Sequence, residues 1–362
     1  MMRVYGSRIS YYTGKLEAYL RYRGIDYDLL PTVGNEKRLK AGAGVVQMPV
    51  VECDDGRWMT DSTPIIAWLD TRQPTPSIYP QDPALRFIAL LIEDYADEWL
   101  WRPAMHYRWS YRRTRDYAAE TLYAELIAGT RPIPRWLGAR LLRKRQRGGF
   151  VTGDGVSAAT RAHVEGAYFA ALTHMQAILE TRPFVLGDRP TIADFGLMGP
   201  MLRHFGQDPE PADIMRARAP AVYEWVARMW NAKAGRDTTG LVATIDGPVA
   251  ALLAEICATH LAQLRQNADA WTNGIGRYDQ RIQDCDYRNV PTSRYRVWCL
   301  EELRREWAAL DDDARAGLRP YLTGEAAILW GEAPFAPSGY DPDRGAPFNR
   351  AINVFANGVP QR

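Results

Sequence analysis

The sequence predicts a small α/β domain at the N-terminus, an all-helical domain after it, and a further mostly helical segment at the C-terminus. Three observations carry this. Met48-Pro49-Val50-Val51-Glu52 is a short strand-like run that Asp54-Asp55-Gly56 turns into a partner, Arg57 to Thr60, before a helix start at Asp61-Ser62-Thr63-Pro64. From about residue 84 to 235 apolar residues recur every three or four positions. After about residue 240 a second helical stripe follows, and 362 residues leave room for two or three domains.

Taken in order, Val4-Tyr5 reads as a strand. Leu16, Tyr19, Leu20 and Arg23 then share a helical face, and Gly24 stands where a C-terminal cap belongs. Ile25 to Leu30 partly alternates like a half-buried strand, and glycines at 34, 42 and 44 mark a loop. After the hairpin, Thr63 is expected to cap the next helix with Pro64 at its first position, where a missing N–H costs nothing. That places Ser62 and open backbone amides beside Pro49. Converging donors and a helix dipole suit a small carboxylate there. Ile65, Ile66, Trp68 and Leu69 form the buried face of this helix, and Pro74, Pro76, Pro80 and Pro83 crowd into a linker.

Phe87, Leu90, Leu91, Asp94, Tyr95 and Glu98 open a long helix, expected to continue through the aromatic, arginine-rich stretch Trp99 to Arg113. Val164, Tyr168, Leu172, Met175 and Leu179 make a core stripe. Thr191 and Asp194 have the spacing of a capping box, with Pro190 and Phe195 at the staple positions. An insertion near 129–155 holds Arg131, Arg135, Arg140, Arg143, Lys144, Arg145 and Arg147, with no acid from 131 to 153. It is expected to be a solvated helical face pairing with acids elsewhere, the Glu93-Asp94, Asp97-Glu98 cluster being one counterpart. Lying on an anionic membrane surface is the lesser alternative. Beyond 240, Val249, Leu252, Leu253, Ile256, His260 and Leu264 form one helical stripe, and Ser293 to Leu310 a second. After Thr323 the text turns to Pro, Gly and Asn, a tail laid over the body. This extension is expected to pack on the helical domain and partly lid the cleft.

Composition excludes several function classes. The 45 basic and 43 acidic residues give a formal charge of +2, so no global nucleic-acid footprint exists. Met1 leads straight into a strand without an apolar signal region, and no uninterrupted apolar run approaches the ~18 residues of a membrane span. Membrane association is not expected. Cys53, Cys257, Cys285 and Cys299 are scattered without a Cys-x-x-Cys pair, which points to a reduced, cytoplasmic protein. The histidines 106, 163, 174, 204 and 260 show no ligand spacing, so no metal is expected.

The proline hairpin followed by Asp61-Ser62 resembles the glutathione-binding half of the thioredoxin-like domain of glutathione transferases. Gly187-x-x-x-Thr191-x-Ala193-Asp194-Phe195 resembles a hallmark of that family's all-helical second domain. The resemblance covers residues 3 to 235, about two thirds of the chain. It implies a thioredoxin-like domain over 1–80, a helical transferase domain over 84–235, and an extension of unassigned role over 240–362. It further implies a cis bond before Pro49, backbone contacts at Met48 to the cysteinyl part of glutathione, and a γ-glutamyl carboxylate held by Asp61 and Ser62. A homodimer is implied as well. Met-Pro in place of Val-Pro or Leu-Pro, and Asp-Ser in place of Glu-Ser or Gln-Ser, are mild departures.

Glutathione chemistry requires a thiolate, and lowering a thiol pKa near 8.5 by about two units takes roughly 2.7 kcal/mol of preference for the anion. A hydroxyl hydrogen bond plus a helix N-terminus supplies that much. Ser10, five residues before Lys15, is similar to the serine of serine-type members, although Tyr11 stands where proline is usual. By that resemblance Ser10 is the first choice as thiolate stabiliser, with Tyr5, Tyr11 and Tyr12 as rivals. No cysteine occurs from 7 to 15, which disfavours thiol–disulfide and cysteine-type activities. Trp99, Trp101, Arg102, Tyr107 and Trp109 are candidates for a pocket taking a small hydrophobic electrophile. The implied reaction is conjugation of glutathione, the co-substrate, in a detoxifying role. The other class is a non-catalytic binding protein, since Lys15-Leu16-Glu17-x-x-Leu20-Arg21 also looks like the corresponding helix of failed-axon-connections and metaxin-like relatives.

Overall fold

Strand β1 (Met2–Tyr5) lies inside a four-stranded sheet of order β2-β1-β3-β4, in a computed structural model that describes residues 1–73, 76–127, 133–235, 240–331 and 334–340. It pairs in parallel with β2 (Tyr27–Leu30), Val4 opposite Leu29, and antiparallel with β3 (Val50–Glu52), Val4 opposite Val51. Strand β4 (Trp58–Thr60) returns beside β3 through the Asp54-Asp55-Gly56 turn, with Gly56 at φ 81°. The parallel β1–β2 pair is joined by helix α1 (Tyr11–Arg23), which Gly24 ends in the left-handed conformation at φ 66°. Helix α2 (Glu36–Ala43) and the Met48–Pro49 bond, which is cis, lead into β3. Strand β2 starts at Tyr27 rather than Ile25, because the Ile25 N–H is taken by Leu20 O in the α1 cap.

Helix α3 (Ser62–Asp70) begins earlier than its proline suggests. Its N-cap is Asp61, not Thr63: the Asp61 carboxylate accepts from the Thr63 N–H at 3.1 Å. The Thr63 hydroxyl is instead drawn into a buried cluster, donating to Glu93 Oε1 at 2.6 Å. Of the expected proline linker, Pro74 lies outside the described residues.

Helix α4 (Pro83–Glu98) follows, and the expected single long helix breaks at Trp99-Leu100 before α5 (Trp101–Ser110). Pro103 fits the restart, since a proline suits the first turn of a helix and disrupts its middle. Helix α6 (Arg112–Leu122) and a wider turn at Tyr123–Ile127 lead to the basic insertion. The insertion forms α7 (Arg135–Phe150), while Arg131 lies outside the described residues. Its acidic partners are Glu120 and Asp116 on α6, with Arg143 2.6 Å from Asp116. The Glu93 to Glu98 cluster was expected as a counterpart, but it faces the other way, towards Lys15, His260 and Arg296.

Helix α8 (Arg161–Leu179) carries the expected core stripe. Helix α9 (Ile192–Pro200) opens on the full capping box, with Asp194 buried and accepting from Val185 N–H and Thr191 N–H at 2.9 Å each and from Trp225 Nε1 at 3.2 Å. It packs against both α1 and α4 and so couples the sheet domain to the helical one. Helices α10 (Pro209–Arg218) and α11 (Pro220–Asn231) complete that unit.

The extension starts with α12 (Gly247–Ile256), which runs through a wide turn at Cys257–Leu261 into α13 (Ala262–Thr272). By length and composition Gly247–Thr272 could cross a membrane, and 61% of its most apolar window is buried inside the protein. A hairpin comes next, β5 (Arg277–Ile282) and β6 (Cys285–Pro291), which the helical reading of the extension passed over. Helix α14 (Arg294–Ala308), capped by Ser293, then packs on α4, as does α15 (Asp312–Leu318). Phe87 of α4 meets Trp307 of α14 ring edge to face at 5.3 Å, part of one core continuous with the helical domain. The tail after 340 lies outside the described residues.

Candidate functional site

At the N-terminal end of α3 the chain encloses a cavity of about 250 Å³. Gln47, Met48 and Pro49 form one wall and Asp61 with Ser62 the floor. Asp61 holds φ 70°, ψ 125°, a positive-φ conformation outside the left-handed helical well and strained for a residue with a side chain, and its carboxylate turns back over the first turn of α3. The Ser62 hydroxyl is buried and among the described residues has no hydrogen-bond partner, and the same holds for Gln47 Oε1. A buried hydroxyl without a partner costs folding free energy, and at a cavity wall it is left free to meet a bound group. Asp61 Oδ2 likewise finds no well-formed hydrogen bond. Burial pushes the Asp61 carboxyl up to about 6, against the opposing pull of the Tyr295 phenol and the Lys15 ammonium.

The opposite wall comes from elsewhere in the sequence. Tyr12 and Trp101 line it as stacked rings, 5.5 Å apart at 13°, and Phe150 of α7 meets Trp101 edge to face. Pro291, Ser293, Tyr295 and Arg296 close it from the extension. The N-terminus of α14 therefore joins that of α3 at one cavity, and both favour negative charge. Arg296 is paired with Glu98 at 3.0 Å, and burial pushes the Glu98 carboxyl up to about 7 although Arg296 opposes it.

The four candidate hydroxyls separate. Tyr5 packs with Leu39, Ala43 and Val50 in the smaller core and donates to Glu52 at 2.9 Å. Tyr11 is buried and donates to the Ala96 carbonyl. Tyr12 donates to the Asp97 carbonyl at 3.1 Å. Ser10 caps α1, accepting from the Thr13 N–H at 3.4 Å, and among the described residues it alone of the four donates to no protein acceptor. It does not line the cavity.

Of the five aromatic-pocket candidates, only Trp101 reaches the cavity. Trp99 and Tyr107 are core residues. Arg102 is buried against Asp154, 3.1 Å away, and lies over the Tyr287 ring. Trp109 borders a basic groove with Arg112, Arg115 and Arg140. The sequence reading missed Tyr295, Arg296 and Phe150. Ser293 opened a helical run in the sequence, but nothing local placed it against Ser62. Among the described residues no group of three or more His, Cys, Asp or Glu could hold a metal ion.

Comparison with known proteins adds the family. Residues 4–77 match the model of the glutathione S-transferase N-terminal domain, and residues 158–228 that of its C-terminal domain. No curated protein matches the chain. Among solved structures, a glutathione S-transferase from Rhodospirillum rubrum is similar at 23% identity and TM-score 0.42, over 63% of this chain and 87% of that one. The β-etherase LigF from a Sphingobium species is similar at 17% identity and TM-score 0.45, over 63% and 94%. A glutathione transferase family member from Pseudomonas fluorescens, with glutathione bound, is similar at 16% identity and TM-score 0.35, over 63% and 94%.

Proposed function

The chain belongs to the glutathione S-transferase family, and from that premise we propose that it binds glutathione in the cavity between Pro49 and the start of α3 and presents the thiol to a small hydrophobic electrophile. One observation carries this: the buried Ser62 hydroxyl without a partner, beside an Asp61 carboxylate only half used. An α-amino-acid head group complements that pair. Its carboxylate takes the Ser62 hydroxyl and the open amides of the α3 N-terminus, and its ammonium takes Asp61. The γ-glutamyl end of glutathione is such a head group, and the cis Met48–Pro49 strand entry lies alongside to meet its backbone. The α14 N-terminus offers a second end that favours an anion, and glutathione carries a second carboxylate.

Conjugation requires a hydroxyl for the sulfur, and Ser10 is the one proposed, because among the described residues its proton has no protein acceptor. Bound glutathione should then show a thiolate ultraviolet band at neutral pH that Ser10→Ala abolishes. Persistence of the band in that variant, with its loss in Tyr12→Phe, removes Ser10 from the role. A homodimer and a cytoplasmic setting belong to the same reading. Sedimentation tests the first; the free cysteines, Cys53, Cys257, Cys285 and Cys299, support the second.

A second reading has its own support. Ser10 stands outside the cavity lining, and the tyrosine hydroxyls at 5, 11 and 12 are all donated to protein acceptors. That arrangement favours a member that binds glutathione without activating it. Calorimetric binding with no thiolate band, and no turnover of an aryl halide, would select this reading. Absence of glutathione binding at millimolar concentration would overturn both.

A further inference from the structure

Helices α3, α4 and α14 enclose a second and larger cavity of about 510 Å³, which shares only the Tyr295 ring with the glutathione cavity. Its volume lies in the range of small-molecule sites. Pro64, Ala67, Leu90, Trp298 and Leu303 give it an apolar lining. Carboxylates outnumber cations among the remaining walls, and most of them are already satisfied. Asp70 binds Arg23, Asp94 binds His260 at 2.7 Å, and Glu306 lies 3.3 Å from Arg86 and 2.9 Å from Arg305. Glu93 holds Lys15 and the Thr63 hydroxyl.

Asp97 differs. Its Oδ2 shares Lys15 with Glu93, at 2.5 Å, so one buried ammonium serves two buried carboxylates. Its Oδ1 is buried with no hydrogen-bond partner among the described residues, and so is the Tyr79 hydroxyl, which lines the same cavity. Burial holds the Asp97 carboxyl well above its ordinary range although Lys15 opposes this. With Glu93 and Asp97 both ionised, the single Lys15 ammonium leaves the cluster one positive charge short, and burial resists that state until a cation supplies it; Asp97 lines the open volume.

We propose that this cavity binds a small organic cation, its ammonium on Asp97 Oδ1 and its apolar body against Leu90, Trp298 and Leu303. The charge decides the class: an anion would meet Asp97, Glu93 and Asp94, while a neutral apolar molecule would leave Asp97 Oδ1 unpaired. The proposal does not rest on glutathione binding.

The test is calorimetric titration of the full chain with phenethylamine hydrochloride and with phenethyl alcohol, its uncharged analogue. The amine should bind, and the alcohol at least about tenfold more weakly. Asp97→Asn should erase the preference for the amine. Because Asp97 also holds Lys15, a second variant, Ala67→Trp, fills the cavity from α3 without touching the charged cluster and should abolish binding. Ser62→Ala should leave amine binding unchanged. Failure of the amine to bind, equal binding of the alcohol, full binding in Ala67→Trp, or loss in Ser62→Ala would each overturn the proposal.

Discussion

Single residues at the candidate site carry polar atoms that the protein itself leaves unused among its described residues. The Ser62 hydroxyl makes no hydrogen bond among the described residues, so Ser62→Ala should leave Tm almost unchanged. The same change should weaken glutathione binding by about tenfold or more, since a hydrogen bond to a charged group contributes roughly 1.5–3 kcal/mol. Calorimetry and a thermal scan read both sides, and equal loss in the two would make Ser62 a folding residue. Asp61 sets a pH dependence whose sign follows from its raised carboxyl pKa. Ionising it in the folded chain is opposed by burial, so its contribution to stability worsens as pH rises from its ordinary 3.8 through about 6. Asp61→Asn should therefore raise Tm at neutral pH. Binding runs the other way: wild-type affinity should fall as pH drops through about 6, when the ammonium of glutathione loses its carboxylate. In Asp61→Asn that step should vanish, and a step left near 4 in the wild type would show that Asp61 is not the partner.

At the scale of elements, helix ends do most of the positioning. The start of α3 is set by Asp61 and not by Thr63, because the Thr63 hydroxyl is recruited by Glu93 and Lys15. The α9 capping box reaches further than its own helix. Asp194 also holds the Val185 N–H and the Trp225 indole, and it is fully buried. Removing it would leave several donors unsatisfied, and Asp194→Ala should cost about 3 kcal/mol or more, as measured by urea unfolding. A loss below about 1 kcal/mol would mean that water or repacking replaces those bonds. This box was legible from the spacing of Thr191 and Asp194 alone, because a capping box is a local device. The break at Trp99-Leu100 was less legible, although Pro103 carried the signal.

Over the whole molecule, the extension is part of the body and part of the site. Its α14 and α15 cover α4, and its Pro291, Ser293, Tyr295 and Arg296 line the cavity proposed for glutathione. Truncation after residue 240 should uncover Phe87 and the apolar face of α4 that Trp307 now shields. The truncated chain should bind a hydrophobic dye and self-associate in size exclusion. If it runs as a monomer with an unchanged Tm, the extension is an independent unit and this account of it is wrong.

The sequence by itself determined the two-part architecture and the floor of the site. The proline hairpin, Asp61-Ser62 and the Thr191–Asp194 box are encoded within about ten residues each, where turn, cap and pairing rules act. Tertiary structure alone decided which hydroxyls are already spent, that Arg102 is neutralised by Asp154, and that Tyr295 stands against Asp61 from more than two hundred positions away. Local rules fix where an element begins. Which side chains meet depends on how the packed elements exclude water together, and no window of the chain holds that information.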